Sequence, residues 1–181
     1  MQWIPSTICV ATSLMGLCPV NVVMAKQYLT MNEVKQVMFS GEILHPVTLQ
    51  IPELVHEKMR KESGVRHPFS GNRIWKTTQG AWLIVDEVVG KHEMITYALG
   101  VLPDGTIKGI EILQYNESYG GQIREKKWLQ QFEGKSSASQ LKLNQDIVNM
   151  TGATLSSKHV TDGVRRLMIL YREYLSKDIS W

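Results

Sequence analysis

The stretch AWLIVDEVVGKHEMITYALGVLPDGTIKGIEIL, residues 81–113, decides the fold. Its β-branched and aromatic residues fall into three runs, at 81–89, 95–102 and 107–113, with short polar segments between them. Runs of this kind, bounded by turn formers, are typical of strands, and PDG at 103–105 is a turn sequence. Because the connections are short, the stretch predicts three strands in an antiparallel meander.

Helical periodicity appears on both sides of this stretch. Residues 28–39 and 52–63 predict two short helices, and residues 125–132 predict a third. The clearest helix is predicted over residues 156–175, where apolar side chains recur at helical spacing: Val160, Val164, Leu167, Met168, Tyr171 and Leu175. The chain therefore predicts an α+β domain in which helices flank a mostly antiparallel sheet.

The remaining segments are less regular. Residues 64–80 are polar and rich in turn formers, so they predict a surface loop. The sequence LKL at 141–143 predicts a last short strand. Three arginines in the later turns of the last helix suit the negative end of its dipole: Arg165, Arg166 and Arg172.

The first 25 residues carry no charged side chain and end in VMA before Lys26. Small or short residues at these positions fit a signal-peptidase site after Ala25, so residues 1–25 predict a cleaved secretory signal. A retained membrane anchor is the alternative. After this segment we distinguish an N-terminal helical region, residues 26–74, from the main domain, residues 75–181.

Composition excludes several classes of protein. Apolar residues make up 43% and charged residues 20% of the chain, which argues against global disorder. The net charge of +3 is scattered, without the basic stripe of a nucleic-acid reader. Both cysteines, Cys9 and Cys18, lie in the predicted signal, so the mature chain offers no thiolate for iron–sulfur or zinc binding. The histidines show no metal-ligand spacing, and we predict no metal site.

The most informative string is TGATLSS, residues 151–157, immediately before the last helix. Gly152 permits a tight turn, Ala153 adds almost no bulk, and Thr154 places a hydroxyl where exposed helix amides can hold a phosphate. The alternative is an ordinary helix cap, because serine and threonine often cap helices and Ser156 and Ser157 could do so here.

This string resembles the flavinylation motif of the FMN-binding domain family. The family includes the C subunit of sodium-translocating NADH:quinone reductase and the G subunit of the Rnf electron-transport complex. The resemblance implies that Thr154 carries FMN through a phosphodiester bond, installed from FAD by a flavin transferase. The family motif commonly has an aspartate six residues before the modified threonine. Val148 occupies that position here, and the nearest acid is Asp146.

Two further segments support the resemblance: YNESYGG at 115–121 and GKHE at 90–93. Glycines there could admit the flavin to the backbone, and positive charge could stabilise the reduced, anionic flavin. Ordinary loops are the alternative for both segments. The resemblance and these arguments together assign the following residues to the cofactor site: Lys91, His92, Glu117, Ser118, Gly120, Gly121, Thr151, Gly152, Ala153, Thr154, Leu155 and Ser156.

The function that these expectations favour is an exported electron-transfer flavoprotein, rather than a stand-alone catalyst. It would lie in the periplasm or on the outer face of the cytoplasmic membrane, where a covalent bond prevents loss of FMN. Its redox partner would be a membrane quinone oxidoreductase or a cytochrome. Three alternatives stay open: an anchored component of a membrane oxidoreductase complex, a non-redox binding module in which Thr154 only caps a helix, and a flavin reductase.

Overall fold

The computed structural model describes residues 27–117 and 120–177. The predicted signal, its cleavage site after Ala25, and the site residue Ser118 lie outside the described residues. In the described part, five antiparallel strands form one sheet in chain order, β1 to β5. Helices lie on both faces of this sheet, so the α+β prediction is confirmed. The strands are β1 Leu44–Pro46, β2 Ile74–Thr77, β3 Trp82–Val89, β4 Met94–Val101 and β5 Ile107–Tyr115.

The three central strands agree with the predicted meander. β3 pairs with β4 from Trp82 opposite Val101 to Val89 opposite Met94, and β5 follows on the other side of β4. The prediction that residues 64–80 form only a surface loop is wrong, because β2 lies within them. β2 pairs with β3 and with the three-residue strand β1, so its stability comes from its neighbours and from burial of Ile74.

Four helices complete the described part: α1 Met31–Met38, α2 Glu53–Ser63, α3 Lys126–Leu129 and α4 Thr154–Leu170. The N-terminus of α1 and the C-terminus of α2 show ordinary capping chemistry. Thr30 and Glu33 form a capping box at α1, and Gly64 ends α2 with a φ of 77°. A 3₁₀ turn follows α3, and a π-helical turn, Tyr171–Leu175, continues α4.

Alternation along β3 divides the core between the two faces of the sheet. Ile84 and Val88 point toward α2 and α4 in the larger cluster, whereas Leu83 and Val85 point toward α1 in the smaller one. The larger cluster contains Trp128 and Phe132, whose rings pack edge to face with their centroids 5.2 Å apart. This face of the sheet therefore provides the support on which α4 rests.

A buried ion pair fixes α4 to the sheet at its centre. The guanidinium of Arg166 binds the Asp86 carboxylate of β3, and its Nη1 donates to the His67 carbonyl at 2.6 Å. Tyr97 of β4 donates its hydroxyl to the same carboxylate at 2.8 Å. Burial and the negative charge of Asp86 raise the pKa of Tyr97 well above its ordinary value, so Tyr97 stays protonated. The role of Arg166 is thus pairing with Asp86, which the dipole argument does not predict.

The segment before α4 differs from the prediction. Residues 141–143 form no strand; a single bridge joins Leu143 to Ile147, and Leu141 has a φ of 48°. Asp146 holds this bend, because its two carboxylate oxygens accept from the amides of Leu141 and Lys142 at 3.0 and 2.8 Å. Over the described residues, no helix has the length and apolar character needed to cross a membrane.

Candidate functional site

The N-terminus of α4 is open. The helix begins at Thr154, Ala153 occupies the N-cap position, and within residues 27–117 and 120–177 no side chain accepts a hydrogen bond from the first-turn amides. The preceding Gly152 has a φ of 83°, which makes the tight turn that the sequence predicts. The alternative in which Thr154 is the helix cap is therefore wrong, and so is capping by Ser156 or Ser157. The amides of the first turn are left to bind an anion.

The Thr154 side chain is exposed and oriented by a neighbour that the sequence motif does not indicate. Asn149 Nδ2 donates to Thr154 Oγ1 at 3.2 Å, and Ser157 Oγ lies 2.9 Å from Asn149 Oδ1. Because Thr154 Oγ1 accepts a hydrogen bond from Asn149, its own hydrogen can point elsewhere. Ser157 is fully buried, so it gives Asn149 a fixed support.

Two of the predicted groups meet at one cleft. It has a volume of about 510 Å³, within the usual range for small-molecule sites. Its walls come from the turn between β3 and β4, the end of β5 and the first turn of α4: Lys91, His92, Glu117, Gly152, Ala153, Thr154, Leu155 and Ser156. The structure therefore places the Lys91–His92 turn and Thr154 on the same cleft, although the two are far apart in the sequence.

Glu117 is the acidic residue of this cleft. Its Oε1 accepts from the backbone amides of His92 at 2.6 Å and Glu93 at 3.1 Å. Burial alone would raise the pKa of the Glu117 carboxyl, but these hydrogen bonds, one from Lys91 and the charge of His92 outweigh it. The net effect lowers the pKa, so Glu117 is ionised at neutral pH.

Three other predicted site residues that the structure describes are not part of the cleft wall: Gly120, Gly121 and Thr151. Gly120 has a φ of 88° and packs against Tyr115, since a Cβ there would lie 2.5 Å from the Tyr115 hydroxyl. Gly121 begins a 3₁₀ turn, and Thr151 is exposed in the turn before α4. Tyr115 also supports the cleft from below, because its hydroxyl lies 3.1 Å from Ser156 Oγ.

Val148, at the position of the family's aspartate, has an exposed side chain and a fixed backbone. Trp128 Nε1 donates to its carbonyl at 2.9 Å, and its amide donates to Gln131 Oε1 at 2.7 Å. Asp146 does not replace the missing carboxylate, because it is bound to its own loop and lies 3.5 Å from Lys135 Nζ. The site therefore has no carboxylate from this segment.

Residues 90–168 match the FMN-binding domain family. The G subunit of the Na(+)-translocating ferredoxin:NAD(+) oxidoreductase complex of Acetobacterium woodii is 37% identical to the chain over 97 residues. This alignment covers 49% of the chain and 45% of that relative, so the chain spans less than half of the relative's length. The family match contains the residues that line the cleft and the start of α4. The two matches confirm the family resemblance and support FMN as the cofactor.

Proposed function

We propose, from the premise that residues 90–168 belong to the FMN-binding domain family, that the protein is an exported electron-transfer flavoprotein with FMN bound covalently to Thr154. One observation carries the proposal: an exposed hydroxyl stands at the uncapped N-terminus of a 17-residue helix, on a cleft of about 510 Å³. Lys91 and His92 also line this cleft, which suits a phosphate ester and a flavin that becomes anionic on reduction.

Attachment requires one exchange of bonds at phosphorus. Thr154 Oγ1 forms a bond to the FMN phosphorus of FAD, the pyrophosphate bond breaks, AMP leaves, and the threonine proton is released. A flavin transferase provides the catalysis. This chain supplies orientation of Oγ1 by Asn149 and neutralisation of the phosphate by the first-turn amides of α4. FMN then supplies one- and two-electron chemistry, while the fold supplies its position.

The cellular role follows from attachment and export. A carrier in the periplasm or on the outer face of the cytoplasmic membrane cannot recapture FMN that dissociates. A phosphodiester bond therefore keeps the cofactor on the protein. In this proposal residues 1–25 form the signal, residues 26–74 the N-terminal region and residues 75–181 the flavin domain. A membrane quinone oxidoreductase or a cytochrome exchanges electrons with it.

The similarity to a component of an oxidoreductase complex favours a second candidate, in which the domain is an anchored part of such a complex. The N-terminus of the mature protein separates the two. Sequencing that begins at Lys26 supports the exported carrier, whereas retention of Met1 supports the anchored form.

Intact mass spectrometry after co-expression with a flavin transferase tests attachment. We expect the wild-type mass to rise by FMN less one water, and Thr154→Ala to stay unmodified. Thr48→Ala is the matched control, because Thr48 is also exposed but lies outside the matched segment, and it should load fully. An unmodified wild-type protein, under conditions that load a known family member, would contradict the proposal.

A further inference from the structure

The turn between β3 and β4 forms the basic wall of the cleft. It consists of Gly90, Lys91, His92 and Glu93, and the Gly90 amide closes it by donating to the Glu93 carbonyl at 2.7 Å. Lys91 and His92 are exposed, and neither side chain makes a hydrogen bond within residues 27–117 and 120–177. Because no such hydrogen bond fixes the direction of these two side chains, their position depends on the backbone of the turn.

Glu117 fixes that backbone from another strand. It follows β5, 25 residues from His92. Its Oε1 accepts from the amides of both His92 and Glu93, and the Lys91 amide also contributes a hydrogen bond to the carboxylate. Adjacent amides that converge on one anion form a compact site, and the carboxylate satisfies them. Its charge is therefore turned toward the backbone of the turn.

Gly90 makes the approach of Glu117 possible. A Cβ at this position would lie 2.5 Å from Glu117 Oε1 and 2.8 Å from the Glu93 carbonyl. Both distances are far below van der Waals contact, and one of the two atoms belongs to the backbone. An alanine would therefore push the carboxylate away from the turn. Gly90 and Glu117 act as one unit.

We propose that Glu117 is a positioning residue that holds Lys91 and His92 against the flavin by binding the backbone of their turn, and that its own charge is not what tunes the cofactor. This inference rests on the proposed function, because it requires a flavin in the cleft. Held in place, the two basic side chains favour the reduced, anionic flavin. Released, they move into solvent and that preference is lost.

Three substitutions separate positioning from charge. Glu117→Gln removes the charge but keeps an oxygen in place of Oε1, which accepts both amides. Glu117→Asp keeps the charge on a side chain one methylene shorter, which does not reach the turn. Glu117→Ala removes both charge and reach.

The first readout is the midpoint potential of the full-length, flavin-loaded protein. We expect Glu117→Asp and Glu117→Ala to have a midpoint potential about 30 mV lower than wild type, which for a two-electron couple is a tenfold loss in preference for reduced flavin. The potential of Glu117→Gln should match that of wild type. If charge were the cause, Gln and Ala would raise the potential together and Asp would match wild type. That pattern, or four equal potentials, overturns the proposal.

Hydrogen exchange of the His92 and Glu93 amides, measured on flavin-free protein, gives the second readout. We expect slow exchange in wild type and Gln, and at least tenfold faster exchange in Asp, Ala and Gly90→Ala. Gly109→Ala is the control, since a Cβ there meets only Met38 Cε, at 4.0 Å. Equal exchange in all variants overturns the positioning role, whereas a wild-type protein that takes up no flavin overturns the proposed function instead.

Discussion

The first turn of α4 and the turn around Arg166 belong to one continuous helix, yet they are held in opposite ways. At the first turn Thr154 is exposed, and among the described residues its hydroxyl is hydrogen-bonded only to Asn149. Around Arg166 every guanidinium nitrogen has a partner, and the side chain is 2% exposed. The helix is thus anchored by its middle and left open at its beginning.

The difference shows how a stable fold can present an exposed hydroxyl that has one hydrogen bond. Arg166 joins α4 to Asp86 of β3 and, through that carboxylate, to Tyr97 of β4. Gly163, one turn earlier, lets the helix approach closely, because a Cβ there would lie 2.6 Å from the Tyr97 hydroxyl. This anchor sets the position of the helix axis. The first turn can then expose amides and a hydroxyl without being needed for stability.

The largest effect should come from breaking the anchor. Asp86→Ala leaves a buried guanidinium without its counter-charge, and removing one partner of a buried pair costs about 3–5 kcal/mol. Urea denaturation should show this loss in the free energy of unfolding. Lys158→Ala is the control on the same helix, because it breaks an exposed pair with Asp162 and should cost about 0.5 kcal/mol or less. A loss below about 1 kcal/mol for Asp86→Ala would contradict the anchor.

The anchor also marks a limit of what the sequence can predict. The position of Arg166 in the later turns of a helix is visible locally, and it indicates a partner of the helix dipole. The actual partner, Asp86, lies 80 residues away in a strand whose only charged residues are Asp86 and Glu87. By strand alternation Asp86 shares the inward face of Ile84 and Val88, and a carboxylate on that face is the signal that could have indicated a buried pair. Sequence alone does not identify the partner, since that depends on which helix covers the strand.

The fold is predictable where the pattern is long. The three strands β3 to β5 have eight or nine residues each, and their ends agree with the prediction to within one or two residues. β1 and β2 have three and four residues, too few for a periodic pattern, and they are strands because β3 offers them a partner. The bend at residues 141–146 escapes prediction because Asp146 and a left-handed Leu141 hold it.

In the site, the string TGATLSS marks Thr154, and the structure adds what the string lacks. Asn149 and Tyr115 contact Thr154 and Ser156 through side chains, and a motif does not reveal such contacts. From the sequence, the prediction that Lys91 and His92 lie in the same site as Thr154 rests on the family resemblance. That resemblance makes Glu117 a flavin-lining residue, whereas its hydrogen bonds go to the backbone opposite.

An intermediate effect on stability should come from Asp146, in the loop before the N-terminus of α4, and this effect should depend on pH. Burial raises the pKa of Asp146, but the amides of Lys142 and Leu141 and the charge of Lys135 outweigh burial, so the folded pKa lies below the unfolded value of 3.8. The ionised form therefore stabilises the fold above that value, and the stabilisation is lost as pH falls through the folded pKa. Asp146→Asn should cost about 1 kcal/mol at pH 7, a modest value because water reaches the carboxylate.

Urea denaturation of wild type and Asp146→Asn at pH 7, 4 and 2.5 measures this prediction. The difference between the two should be constant above about pH 5 and shrink toward the lowest pH, because wild type then loses the charge that the variant never had. Lys142→Ala is the control, since it removes an exposed side chain and keeps the amide that Asp146 binds. A difference that grows on acidification would show that burial dominates the pKa of Asp146.

The smallest effect on stability should come from substitution of Thr154, the proposed attachment residue. Thr154→Ala removes one exposed hydrogen bond and introduces a better helix former, so the free energy of unfolding of the flavin-free protein should change by less than about 0.5 kcal/mol. The same substitution should abolish covalent flavin. If instead it destabilised the flavin-free fold by about 2 kcal/mol, the first turn would be part of the anchor and the contrast between the two regions would fail. A hydroxyl that proved to contribute little to folding, although it lies beside uncapped amides at a cleft, would support the proposed attachment of FMN at Thr154.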